Sequence, residues 1–140
     1  MDLTRIADEL AIRELLAAYC HRVDDGLFDE LVGLFTPDGA FVRGRRTYEG
    51  RAALLAFFDA RQATPEQRGR HLTLNPEIAV DGATARVLAD FLYLRMVDGK
   101  LTPVITGRYH DELVRCDDGR WRFARRVIEE WPPRVPAPAA

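Results

Sequence analysis

The chain has 140 residues, 47% of them apolar and 30% charged, with a net charge of −2. This balance fits one soluble domain with a real core and excludes a disordered or fibrous chain. Acids and bases interleave, so no basic patch invites nucleic acid, and no apolar run is long enough for a membrane-crossing helix.

Residues 4–23 carry Ile6, Leu10, Ile12, Leu15, Leu16, Tyr19 and Val23, which is helical spacing with one buried stripe. Asp2 or Thr4 can cap the start, and Gly26 can end the helix in a left-handed conformation. The start of the chain is charged and already helical in pattern, unlike a signal peptide. LFDELVGLF (27–35) predicts a second helix, TPDG (36–39) a turn, and AFVRG a short strand. YEGRAALLAFFDARQ predicts a third helix starting near Gly50, with Leu54, Leu55, Phe57 and Phe58 inward.

The period then changes from helix to strand. HLTLNPEIAV (71–80), TARVLADFLYLRMV (84–97), LTPVITGRYHDELVRC (101–116) and WRFARRVIEEW read as strands, separated by DGA, DGK and DDGR turns. Helices first and a strand meander after them predict an α+β fold, with three N-terminal helices on one face of a strongly curved antiparallel sheet. Residues 1–131 are expected to form one domain, and the Pro/Ala-rich 132–140 a flexible tail. Along 84–97, Val87, Ala89, Phe91 and Tyr93 point one way and Leu88, Leu92 and Leu94 the other. An apolar second face predicts a homo-oligomer, a dimer on general grounds and a trimer as the alternative. Cys20 and Cys116 form no CxxC pair, so a reduced cytoplasmic setting is expected.

The words AIRELLAAYCHRVDDGLFDELVGLFTPDGAF, YEGRAALLAFF, RHLTLN and GRYHDELVRCDDGRWRFARR resemble the SnoaL-like domains of the nuclear transport factor 2-like superfamily. The resemblance covers roughly residues 5 to 130 and implies a cone-shaped, cystatin-like fold around an apolar pocket. Within that superfamily the chain looks most like scytalone dehydratase and bile acid 7α-dehydratase. Both pair an Asp closing the first long helix with a His opening a strand, and Asp24 and His71 stand at those places. Tyr19 stands before Asp24 as a tyrosine does in the bile acid enzymes, and where ketosteroid isomerase has its oxyanion-hole tyrosine. The isomerase's general base has no counterpart, since AFVRG offers Arg43 there.

The resemblance implies Tyr19, Asp24 and His71 as catalytic residues. A carboxylate orients an imidazole and favours its protonated form, and such a pair moves protons beside a carbonyl. Tyr19 and Asp24 are about 140° apart on an ideal helix, so they share a cavity only if the helix frays or the cavity wraps its end. Taken singly, Tyr19 reads as a core residue, Asp24 and Asp25 as a helix end, and His71 as a strand-start histidine. Asn75 shares the His71 face by alternation, and His110 falls near a pocket asparagine of scytalone dehydratase. Asp90 interrupts an apolar strand and needs a partner, Arg126 or Arg108. Arg125 and Arg126 face opposite ways. Phe35, Phe41, Phe57, Phe58, Phe91, Tyr93 and Trp121 suit an apolar, ring-containing substrate.

A metal at His21, Asp24, His71 and His110 lacks a recognised motif. No glycine-rich phosphate loop or GxSxG elbow is present, so neither metal nor cofactor is expected. These readings converge on a cofactor-independent dehydratase or isomerase for a hydrophobic, polycyclic small molecule. The alternatives are a SnoaL-like cyclase, a ketosteroid-type isomerase, and a non-catalytic ligand-binding or assembly subunit.

Overall fold

A computed structural model describes residues 1–133, so 134–140 of the expected tail lie outside the described residues. The first helix, α1 (Leu3–Asp25), is capped by the Asp2 carboxylate, which accepts from the Arg5 amide, and ends at Gly26 with φ 72°. Its buried side chains run Asp8, Ile12, Leu15, Leu16, Tyr19 and Val23. Ile6 and Leu10, expected in the stripe, are 42% and 59% exposed. The buried face begins instead with Asp8, which accepts from Arg115 Nη1 at 2.7 and 2.9 Å and from Trp121 Nε1 at 3.0 Å. A carboxylate so satisfied can be buried where an unpaired one could not.

The rest of the helical layer is α2 (Phe28–Val32) and α3 (Arg51–Gln62), with a single 3₁₀ turn at Pro65–Gln67. Six strands form one sheet in the order β2-β1-β6-β5-β4-β3: β1 (Phe35–Arg43), β2 (Arg46–Glu49), β3 (Arg70–Asp81), β4 (Thr84–Val97), β5 (Lys100–Arg115) and β6 (Trp121–Trp131). The three Asp-Gly turns join β3 to β6 as their sequence predicts.

Two expectations change. The sheet is mixed, because β1 lies parallel to β6, with Phe41 beside Arg126, while every other pairing is antiparallel. TPDG is not a free turn: it lies inside β1, where the register shifts between Phe35 and Ala40, and Gly50 N–H donates to Gly39 O at 2.9 Å. Further shifts fall between Leu74 and Glu77, Tyr93 and Leu94, and Glu112 and Leu113. Each puts an extra residue in one strand and bends it, which curls the sheet around the helices. The core lies between the layers, with Ile12, Val23, Leu31, Phe35, Leu54 and Phe123 fully buried.

Candidate active site

α1 delivers Tyr19 and Asp24, and β3 delivers His71. The helix does not fray: it runs unbroken to Asp25. The angular problem resolves differently, because Asp24 does not line the cavity but stands behind His71. Its Oδ1 lies 2.6 Å from His71 Nδ1, and both carboxylate oxygens accept from the His71 amide at 3.1 and 3.0 Å. The Asp24 side chain is buried and that of His71 nearly so, 6% and 11% exposed. An ionised carboxylate only accepts, so Nδ1 carries the hydrogen and Nε2 is left as the basic nitrogen. The imidazole is fixed further by Tyr93, stacked at 4.2 Å and 25°, and by Tyr19, edge-on at 6.5 Å.

These residues border a cavity of about 70 Å³ whose lining includes Tyr19, Phe41, Phe57, His71, Phe91 and Tyr93. Phe58, one of the expected aromatics, lines it too, while sequence reasoning missed Arg43, Arg61, Gln62, Tyr109 and Glu130. Tyr109 could have been found, because it alternates onto the face opposite His110. Burial pushes the Tyr19 phenol well above its ordinary pKa and Arg126 pulls it back in part, so Tyr19 keeps its proton and remains a donor.

Beneath Tyr19 lies a buried charge. Arg126 is wholly enclosed and donates from Nε and Nη2 to the two Asp111 oxygens at 2.8 and 2.9 Å. Its guanidinium sits 4.2, 3.7 and 4.4 Å from the ring centroids of Tyr19, Tyr109 and Phe123. Burial works against this charge, but Asp111 outweighs it and raises the Arg126 pKa. Arg126 therefore points inward and Arg125 outward, and the partner of Arg126 is Asp111, not Asp90. Arg126 supports the cavity wall without lining it.

The other expected binding residues fall elsewhere. Trp121 is 5% exposed and bonded to Asp8. Asn75, Asp90 and Arg108 do come together, with Asn75 Nδ2 and Arg108 Nε donating to Asp90 at 3.1 and 2.9 Å. They line an open hollow of about 510 Å³ on the outer face of the sheet, away from His71. The bonds from Asn75 and Arg108 hold the Asp90 carboxyl below its usual range. His110 lines a neighbouring outer hollow and meets Glu129 at 2.7 Å, but that pair is 49% and 60% exposed. Water screens such a pair, so the buried Asp24–His71 pair beside the smaller cavity is the better candidate for chemistry. Register explains the misplacement: β5 turns Tyr109 and Asp111 inward, leaving Arg108 and His110 outside.

Among the described residues, no three His, Cys, Asp or Glu side chains gather at metal-ligand spacing. No described helix is long and apolar enough to cross a membrane.

Residues 4–127 match a protein family described as the SnoaL-like domain. An uncharacterised protein of Mycobacterium tuberculosis is 31% identical over 132 residues, covering 91% of this chain and 88% of that protein. A Novosphingobium aromaticivorans protein described as NTF2-like with a cystatin-like fold superposes with a TM-score of 0.87 at 26% identity, covering 95% of this chain and 88% of the other. A Catenulispora acidiphila protein solved in complex with S-DNPA superposes with a TM-score of 0.80 at 28% identity, covering 89% and 94%.

Proposed function

The chain belongs to the SnoaL-like domain family, and from that premise we propose a cofactor-independent dehydratase or isomerase acting on a hydrophobic, ring-containing small molecule. The observation that carries the reading is the 2.6 Å bond from His71 Nδ1 to Asp24 Oδ1 on a ring that lines an aromatic cavity. His71 Nε2 takes a proton from the carbon beside a ketone. The C–H electrons move into the enolate, whose oxygen accepts from the Tyr19 hydroxyl. The imidazolium, stabilised by Asp24, then gives its proton to a β-hydroxyl, which leaves as water while the new carbon–carbon double bond forms. Returned to a different carbon, the same proton completes an isomerisation.

The cavity of about 70 Å³ holds the reacting edge of a ring rather than a whole polycycle. The remainder of the substrate rests in a groove of about 490 Å³ that shares Arg43, Arg61, Ile128 and Glu130 with the cavity. The S-DNPA complex of the Catenulispora acidiphila protein supports a binding role for this scaffold.

A panel of fused-ring β-hydroxy ketones, followed by the absorbance of the conjugated enone and by mass loss of water, tests the reading. His71→Ala is expected to slow turnover about 10²–10⁴-fold with the fold intact. Asp24→Asn should do the same, because an amide that donates to Nδ1 forces the hydrogen onto Nε2 and removes the base. Parental turnover in His71→Ala would overturn the assignment.

The outer face of the sheet suits a second copy of the chain. Alternation from His71 and Thr73 turns Leu72 and Leu74 outward, 37% and 40% exposed, and Trp131 beside them is 69% exposed. Sedimentation should therefore give a dimer, and Leu74→Glu a monomer. A monomeric parent protein would reject this pairing.

A further inference from the structure

We propose that the groove outside the cavity is an anion site, formed by Arg46, Arg61 and Tyr48, that holds a carboxylate on the substrate. The proposal deepens the functional reading above and rests on it for the position of the reacting end.

The groove is lined by Arg43, Arg46, Tyr48, Arg61, Glu129 and Glu130, among others. Among the described residues its charges are not balanced. Arg43 is matched by Glu130, with Nε and Nη2 both 3.0 Å from Oε1. Glu129 is engaged by His110 at 2.7 Å. Among the described residues, Arg46 and Arg61 have no carboxylate within ion-pair distance. Both instead line one groove with Tyr48, where Arg61 and then Arg46 draw the phenol below its ordinary pKa. Two guanidinium groups in one groove, neither with a carboxylate partner among the described residues, mark a place where an added anion is favoured.

Arg61 and Tyr48 are also positioned. The Arg61 guanidinium lies 4.6 Å from the Phe57 ring centroid, and Tyr48 packs on Phe57 with centroids 4.5 Å apart. Phe57 and Arg61 both line the inner cavity. A flat ring lying along Phe57 would thus reach His71 at one end and present a substituent to Arg46 and Arg61 at the other. Two arginines, whose planar donors grip a carboxylate in pairs, and a net vacancy of negative charge suit a ring-borne carboxylate better than a neutral group.

Binding of 2-naphthoate and of neutral 2-naphthamide to the full chain, followed by calorimetry at low salt, tests the proposal. The carboxylate is expected to bind about 10- to 100-fold tighter, as fits hydrogen bonds to charged groups. The Arg46→Gln/Arg61→Gln variant should level the two affinities by weakening 2-naphthoate alone, while Arg46→Lys/Arg61→Lys keeps part of the gap. Equal affinities in the parent, a gap that survives the Gln variant, or no binding of either probe would overturn it. His71→Ala should leave the preference unchanged, so failure here is separable from failure of the acid–base assignment.

Discussion

Asp111→Ala removes one half of a wholly buried ion pair. Arg126 loses the acceptors for two charge-assisted hydrogen bonds, at 2.8 and 2.9 Å. It cannot shed its proton, because guanidinium groups stay charged in proteins. Bonds of this kind are worth about 1.5–3 kcal/mol each, and breaking a buried pair costs about 3–5 kcal/mol. The rings of Tyr19, Tyr109 and Phe123 face the cation in parent and variant alike, so their attraction cancels from the difference. The expected loss is therefore about 3–5 kcal/mol, or a fall in Tm of about 10–15 °C for a chain of this size. Urea titration and thermal melting followed by circular dichroism measure it. Arg126→Met/Asp111→Leu should recover most of the loss, since an apolar pair of similar volume leaves no buried charge. A single variant within about 1 kcal/mol of the parent, or a double variant worse than the single, would refute the reasoning.

Gly26→Ala should cost about 1–2 kcal/mol in urea unfolding, because φ is 72° and an added Cβ would sit 2.4 Å from Arg68 Cζ. Burial opposes the Asp8 charge, but the bonds from Arg115 and Trp121 outweigh it and hold its carboxyl below the usual carboxylate range. A lowered folded pKa gives stability that is present above the unfolded value near 4 and lost as pH falls through the folded value. Asp8→Asn should therefore flatten the loss of Tm on acidification below about pH 4 and lower Tm at neutral pH. An unchanged acid limb in melts across that range would count against it. Arg68→Ala removes bonds to Gln62 O at 2.9 Å and Ala63 O at 2.7 Å, and should raise protease nicking between Gln62 and Arg70, read by mass spectrometry.

The strands between 84 and 131 were legible because Asp-Gly turns and alternation are local signals. The parallel β1–β6 pairing was not, since Phe41 and Arg126 are far apart in sequence and nothing nearby in either strand marks the other. Asp24 and His71 were found through family resemblance; residue type alone reads them as a helix end and a strand start. Asn75 was misplaced because β3 shifts register between Leu74 and Glu77, where Asn75 has φ 53°, and this breaks the alternation from His71; Asp90, Arg108 and His110 were misplaced for another reason. A strand apolar on both faces does not say which face meets the helices, and a polar residue inside it suggests a pocket as readily as an outer surface. Arg126 and Asp111 show the converse, where two charges in a core are invisible until their mutual satisfaction is seen.

Because β1 finds its inner neighbour only in β6, the sheet cannot be completed until Trp121–Trp131 have left the ribosome. Until then Phe35 and Phe41 lack one flank, and the nascent protein must shelter sticky surface in a chaperone or in transient collapse. A stop codon placed ahead of Trp121 would thus leave an aggregating fragment rather than a smaller working one.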